Sequence, residues 1–194
     1  MTKDTAPSSK IFLLDPDPDE HDDLLASISR PGVSWYKVFN KLSGKGVRCA
    51  DWWQPVPMEW KPARVRKNRG KPVDFIGLMG LGLAFSDRAA EVLAPLLGNA
   101  IELLPLTYDG PGRFQVVNIL DIVDCLDEER SITDRYSDGQ ISSVKKYVFK
   151  PGSTDGHHLF KCKQCLLHDL VSAEFKALVE KTGLIGAYFK PVGE

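Results

Sequence analysis

The sequence predicts an α+β protein, with a mixed, mostly antiparallel sheet and two helices packed on it. Three observations carry this. A serine, a helix of about three turns, a glycine and a strand follow one another twice, over residues 86–106 and 172–189. Short apolar runs separated by Gly, Pro and Asp turns surround both units, as antiparallel strands require. The chain has 194 residues and an apolar fraction of 43%, enough to bury one core. Two copies of the unit are too few for a solenoid, which needs at least ~3 repeats to cover its own apolar faces.

Residues 1–9 are small and polar and read as a disordered tail. Residues 11–14 form a short strand. Residues 15–23, DPDPDEHDD, hold six acidic side chains and two prolines. Proline blocks regular pairing and like charges repel, so this is a solvated loop. Ser34 can cap a short helix in which Trp35, Val38, Phe39 and Leu42 share a face and Gly44 ends the run. Residues 47–53 read as a strand before Pro55. Residues 61–71, KPARVRKNRGK, carry six basic side chains and read as a loop or exposed hairpin. These pieces make residues 10–72 an N-terminal elaboration on a core α+β domain at 73–194, the whole forming one compact domain.

In the core, residues 83–85 lead into Ser86, a good helix N-cap. Ala89, Val92, Leu93, Leu96 and Leu97 then make one apolar stripe. Pro95 should kink the last turn or end the helix early, and Gly98 supplies a left-handed stop. A strand at 101–106, a turn at 109–112 and a strand at 114–123 form a hairpin. Further strands are expected at 140–149 and 158–162. Ser172 caps the second helix, with Phe175, Leu178 and Val179 on its apolar face. Gly183 stops it before a strand at 184–189.

Composition excludes several classes. The net charge is -1 and the pI about 6.4, so whole-chain electrostatics favours neither nucleic acid nor a membrane surface. No apolar run approaches the ~20 residues of a spanning helix. The N-terminal apolar stretch is too short for a signal peptide, which makes the cytoplasm the expected location. Four cysteines (Cys49, Cys125, Cys162, Cys165) then read as free thiols.

No chemical motif is complete. Cys162 and Cys165 have the spacing of a zinc half-site with His168 nearby, but a second half-site is missing. The plain reading is a strand-end cysteine and a loop cysteine, both reduced. Asp121 and Asp124, with Asp127, Glu128 and Glu129, could supply paired carboxylates; at this density they read as a solvated strand end. Gly77, Gly80 and Gly82 resemble a phosphate loop, yet apolar residues intervene before Ser86, so no helix N-terminus opens from them. Trp60 beside the basic segment could stack on a base, although a solvated loop is the simpler reading. No metal and no cofactor is expected.

Several pieces in order resemble a known family. They are Trp35 and Phe39 before Gly44; Trp53 and Pro55; Gly70, Lys71, Pro72, Asp74 and Phe75; and the run from Ser86 to Leu93. Glu102 to Leu106, then Asn118, Asp121, Val123, Asp124, Leu126 and Asp127, follow. Phe160 and Lys161, then Gly183, Leu184, Gly186 and Phe189, complete the set. Across residues 33–192 the chain is similar to the eleventh family of immunity proteins of bacterial polymorphic-toxin systems, formerly catalogued as a domain of unknown function.

The resemblance implies a small cytosolic antitoxin that binds a toxin encoded by a neighbouring gene and blocks its active site or substrate path. It implies no catalytic residues. An inhibitor must work where its toxin works, so the target is expected in the cytoplasm, with a nuclease favoured. Nuclease clefts are basic, and acidic runs can imitate a phosphate backbone and speed association. The candidate contact residues are therefore Asp17, Asp19, Glu20, Asp22, Asp23, Asp127, Glu128 and Glu129. The competing reading is a small zinc- or thiol-containing enzyme or binding protein built on Cys162, Cys165 and His168. Direct binding of nucleic acid or membrane is not expected.

Overall fold

The computed structural model describes residues 10–17, 23–26, 45–61, 73–78 and 82–193. In chain order the strands are β1 (Ile11–Pro16), β2 (Asp23–Ala26), β3 (Val56–Lys61), β4 (Phe75–Leu78), β5 (Gly82–Ser86), β6 (Ile101–Asp109), β7 (Phe114–Ile119), β8 (Ile122–Val123), β9 (Ile132–Arg135), β10 (Ile141–Lys146), β11 (Leu159–Cys162), β12 (Cys165–Ser172) and β13 (Ala187–Val192). The helices are α1 (Asp87–Leu97) and α2 (Ala173–Thr182), and a short 3-10 turn (Gly98–Ala100) follows α1. Neither described helix is long and apolar enough to cross a membrane.

The α+β class holds, with the strands divided between two assemblies. Six close into a barrel in the order β2-β3-β6-β7-β5-β4, and five form a sheet in the order β13-β1-β12-β11-β8. β9 and β10 make a separate antiparallel hairpin. Pairing is mostly antiparallel; β2 with β4, β3 with β6 and β8 with β11 run parallel. The early chain contributes to both assemblies: β1 lies between β12 and β13, while β2 and β3 are barrel staves.

Side chains alternate across each strand, and that alternation sets the layers. Ile76 and Leu78 on β4, Ala84 on β5, Leu104 on β6, and Phe114 and Val116 on β7 belong to one buried cluster that fills the barrel. Their neighbours Phe75, Leu83, Phe85, Val117 and Ile119 face the other way, into the central core. There they meet Ala89, Leu93 and Leu97 of α1, Phe175 and Val179 of α2, and Leu14, Leu159 and Val171 of the sheet. The opposite sheet face, with Ile11, Leu13, Phe160 and Leu170, is covered by Cys125, Leu126 and Tyr147.

The repeated grammar becomes a repeated topology. β5 and β6 both pair antiparallel with β7, so β5, α1 and β6 form a crossover around an antiparallel strand. β12 and β13 flank β1 in the same way, with α2 as their connection. Both helices start as expected: Ser86 Oγ accepts from Ala89 N at 3.0 Å and Ser172 Oγ from Phe175 N at 3.2 Å. Gly183 adopts the left-handed conformation at φ 64° and ψ 35°.

Some expectations fail for local reasons. Pro95 does not end α1 early; the helix reaches Leu97. Pro95 and Glu91, whose carbonyl loses its helical donor, are both exposed, so water can serve that carbonyl. Gly98 has positive φ but a ψ of -120°, outside the left-handed region, and passes directly into the 3-10 turn. Residues 47–53 are no strand. Cys49 O accepts from both Trp52 N and Trp53 N, and Glu102 takes the amides of Cys49 and Ala50, so no ladder forms. The expected strand at 114–123 breaks where Leu120 N and Asp121 N donate to Ala100 O, and β8 crosses to the other sheet. Strand 140–149 shortens to β10, and 184–189 shifts to β13. Strands β2, β3, β4, β9 and β12 were not expected, and both ends of the acidic segment are paired rather than looped: β1 runs through Asp15 and Pro16, opposite Tyr188 and Ala187, and Asp23 begins β2. The helix proposed after Ser34, the basic loop at 62–71 and the tail at 1–9 lie outside the described residues.

Candidate functional site

The ionisable residues of the central pieces form internal ties. Asp74 is 1% exposed. Its carboxylate accepts from Ser86 Oγ at 2.7 Å, Arg88 Nη1 at 3.0 Å and Ile185 N at 2.9 Å. Arg88 also donates through Nη2 to the carbonyls of Thr182 and Gly183 at 2.7 and 3.3 Å. The start of α1 and the end of α2 are thereby joined through one buried carboxylate. Gly186 completes the junction with φ 101°, where an added Cβ would lie 2.6 Å from Phe75 O.

A second tie sits at one end of the barrel. Glu102 and Asn118 lie opposite each other on β6 and β7, and both are buried. Glu102 accepts from Cys49 N at 2.7 Å, Ala50 N at 3.1 Å and Asn118 Nδ2 at 3.0 Å. Burial pushes its carboxyl pKa up, but these donors outweigh burial and hold it below its ordinary value. Asn118 Nδ2 also reaches Val47 O, and Trp53 Nε1 donates to Pro105 O at 2.8 Å. The loop at 45–53 is thus held to the barrel by side chains.

A family model describing an immunity protein family (Imm11) matches residues 27–194. The chain belongs to the Imm11 immunity protein family. No curated protein matches it. In this Imm11 chain, Asp74, Ser86, Arg88, Gly183 and Gly186 make the first tie, while Trp53, Glu102, Pro105 and Asn118 make the second. Of the residues that carried the resemblance, these nine serve as structural ties, while Trp35, Phe39, Gly44, Gly70, Lys71 and Pro72 lie outside the described residues.

The chemistry-bearing groups elsewhere follow the same rule. Asp121 bonds His157 Nδ1 at 2.7 Å, but no serine or cysteine among the described residues hydrogen-bonds that imidazole to complete a nucleophilic triad. Asp124 is bound by Lys150 and Gln164, and the Lys150 contact is the main cause of its lowered pKa. Of the glycine-rich stretch, Gly77 and Gly82 lie on the paired strands β4 and β5, with Leu78 opposite Gly82, and Gly80 lies outside the described residues.

Cys162 and Cys165 are direct partners across the β11–β12 hairpin, and all four cysteines are buried and outside any disulfide. A hydrogen bond with Cys125 is the main cause that brings the Cys162 thiol down to about 7, against the opposing effect of burial. The same contact, then burial, pushes Cys125 up. Among the described residues no three His, Cys, Asp or Glu side chains converge as metal ligands would. The zinc reading thus has no described ligand set.

The acidic candidates fall at separate places. Asp17 follows β1, its amide donating to Gly186 O at 2.8 Å. Asp23 begins β2 in the barrel, opposite Lys61 and Gly77. Asp19, Glu20 and Asp22 lie outside the described residues. Asp127, Glu128 and Glu129 follow β8, which β11 and β12 separate from β1. Asp127 accepts from Arg130 N at 3.1 Å, and Glu128 pairs with Arg135 at 2.7 Å. Beside Glu128 a groove of about 440 Å³ opens between the β9–β10 hairpin and the start of β12. Sequence reasoning missed it because β9 and β12 were not recognised as strands.

Proposed function

We propose that this protein neutralises one cognate toxin by occupying its working surface, that it does so in the cytoplasm, and that the toxin is a nuclease. The observation that carries the reading is the Imm11 family match over residues 27–194. The internal use of Asp74 and Glu102 supports inhibition by binding, because these buried carboxylates serve as structural ties. Four cysteines outside any disulfide suit a reducing compartment. The acidic run at 15–23 supports a basic partner cleft, since opposite fields raise association rates.

Co-expression with the toxin encoded beside this gene tests the role. The expected result is restored growth, a one-to-one complex, and stoichiometric loss of DNA or RNA cleavage. A neutralised toxin that cleaves neither nucleic acid removes the nuclease assignment. Asp19, Glu20, Asp22 and Asp23 reversed together to lysine should slow association most at low salt. Unchanged neutralisation across salt concentrations removes the acidic run from the contact.

A further inference from the structure

We infer that the groove between the β9–β10 hairpin and the start of β12 is the surface that grips the toxin, an assignment that rests on the inhibitory role proposed above. The first observation is a bulge. Cys165 stands opposite Cys162 and Asp169 opposite Lys161, so Leu166, Leu167 and His168 have no partners on β11. Lys161 Nζ fixes this bulge from beneath, donating to Leu166 O at 3.0 Å and to Asp169 Oδ1 at 2.5 Å. The Lys161 and Asp169 side chains are only 14% and 9% exposed. Desolvating such a pair opposes folding unless its geometry and hydrogen bonds compensate.

What the bulge presents is apolar. Leu167 is 66% exposed, and across the groove Tyr136 is 61% exposed. Bulges commonly re-aim side chains beside functional sites. The exposed tyrosine is the residue type that anchors interfaces, and the leucine displayed by the buried ion pair adds apolar area across from it.

The groove's charge selects the kind of partner. Its charged lining is Glu128, Arg135 and Lys163, which leaves one net positive charge. Glu128 and Arg135 pair with each other. Lys163 hydrogen-bonds no carboxylate among the described residues. Lys163 acts electrostatically on Asp124, which Lys150 and Gln164 already engage, so this exposed cation beside apolar anchors complements a protein protrusion carrying an apolar side chain and a carboxylate. It does not complement a polyanion, which needs several phosphate-binding cations. The occupant is therefore the toxin protein itself, seated on Tyr136 and Leu167 with an acidic side chain toward Lys163.

The test measures binding of the purified, catalytically inactivated toxin encoded beside this gene to the full chain. Tyr136→Asp with Leu167→Asp should raise Kd by about 30-fold or more, the scale of a hot-spot loss. Lys163→Glu alone, at an exposed position, should raise it by about threefold or more. Tyr188→Ser on β13, also exposed, should change it by less than about threefold. Circular dichroism and thermal melting should match wild type for all three. If wild type binds and protects while the double variant keeps its affinity, the groove is excluded and the inhibitory role stands. Equal losses in the double and Tyr188 variants also exclude the groove. A wild-type chain that neither binds nor protects overturns the role and the groove together.

Discussion

Asp74→Ala removes the acceptor on which both helix ends depend. Three donors lose it: Ser86 Oγ, Ile185 N and Arg88 Nη1. A hydrogen bond to a charged group contributes about 1.5–3 kcal/mol, so the first two give about 3–6 kcal/mol gross. Arg88 is 45% exposed and ion-paired through solvent-screened geometry, so it adds about 0–1 kcal/mol. Removing the carboxylate also removes its own desolvation cost, which offsets part of the loss. The expected net destabilisation is about 3–4 kcal/mol. For a chain of this size that lowers Tm by about 6–16 °C. Urea and thermal unfolding followed by circular dichroism measure it, with the exposed Glu129→Ala as a control expected within about 0.5 kcal/mol of wild type. A loss below about 1 kcal/mol for Asp74→Ala would refute the idea that this carboxylate joins the two units.

Three more outcomes follow from the same contacts. Glu102 has a folded pKa below its ordinary 4.5, so its stabilisation is present above that value and disappears as pH falls through the folded pKa. Glu102→Gln should therefore be less stable at pH 7 yet lose less of its remaining stability on acidification; parallel acid curves would contradict this. Gly186→Ala places a Cβ against Phe75 O in a backbone conformation unsuited to L side chains, and should cost at least about 2 kcal/mol in urea unfolding; a neutral variant would contradict the close approach. Cys162 combines a thiol lowered by its Cys125 neighbour with 1% exposure. At pH 8 native protein should be alkylated at Cys162 about 100-fold or more slowly than after unfolding, because access requires opening. Rapid native labelling, read by mass spectrometry, would show that the thiol is reachable.

The elements legible in the chain were those whose signals are local. Ser86 and Ser172 cap helices because a hydroxyl needs only the amide three residues ahead. Gly183 ends α2 because its own conformational freedom suffices. The apolar stripe of α1 follows from helical periodicity, and Ala89, Leu93 and Leu97 are buried as that periodicity requires. Reading failed where a distant partner decided the outcome. Residues 47–53 have strand-like composition, but Glu102 from over 50 residues away takes the amides of Cys49 and Ala50. β12 is interrupted by a bulge, so no regular alternation marked it.

Local chemistry in the chain determined the α+β class, the two capped helices and the family. Division of the strands between a barrel and a sheet required long-range hydrogen bonding, as did the commitment of Asp74, Glu102 and Asn118 to structural ties. The groove that displays Tyr136 and Leu167 also came only from the tertiary structure. Its two walls lie some 30 residues apart in the chain, and a surface assembled from separated segments leaves no pattern in either one.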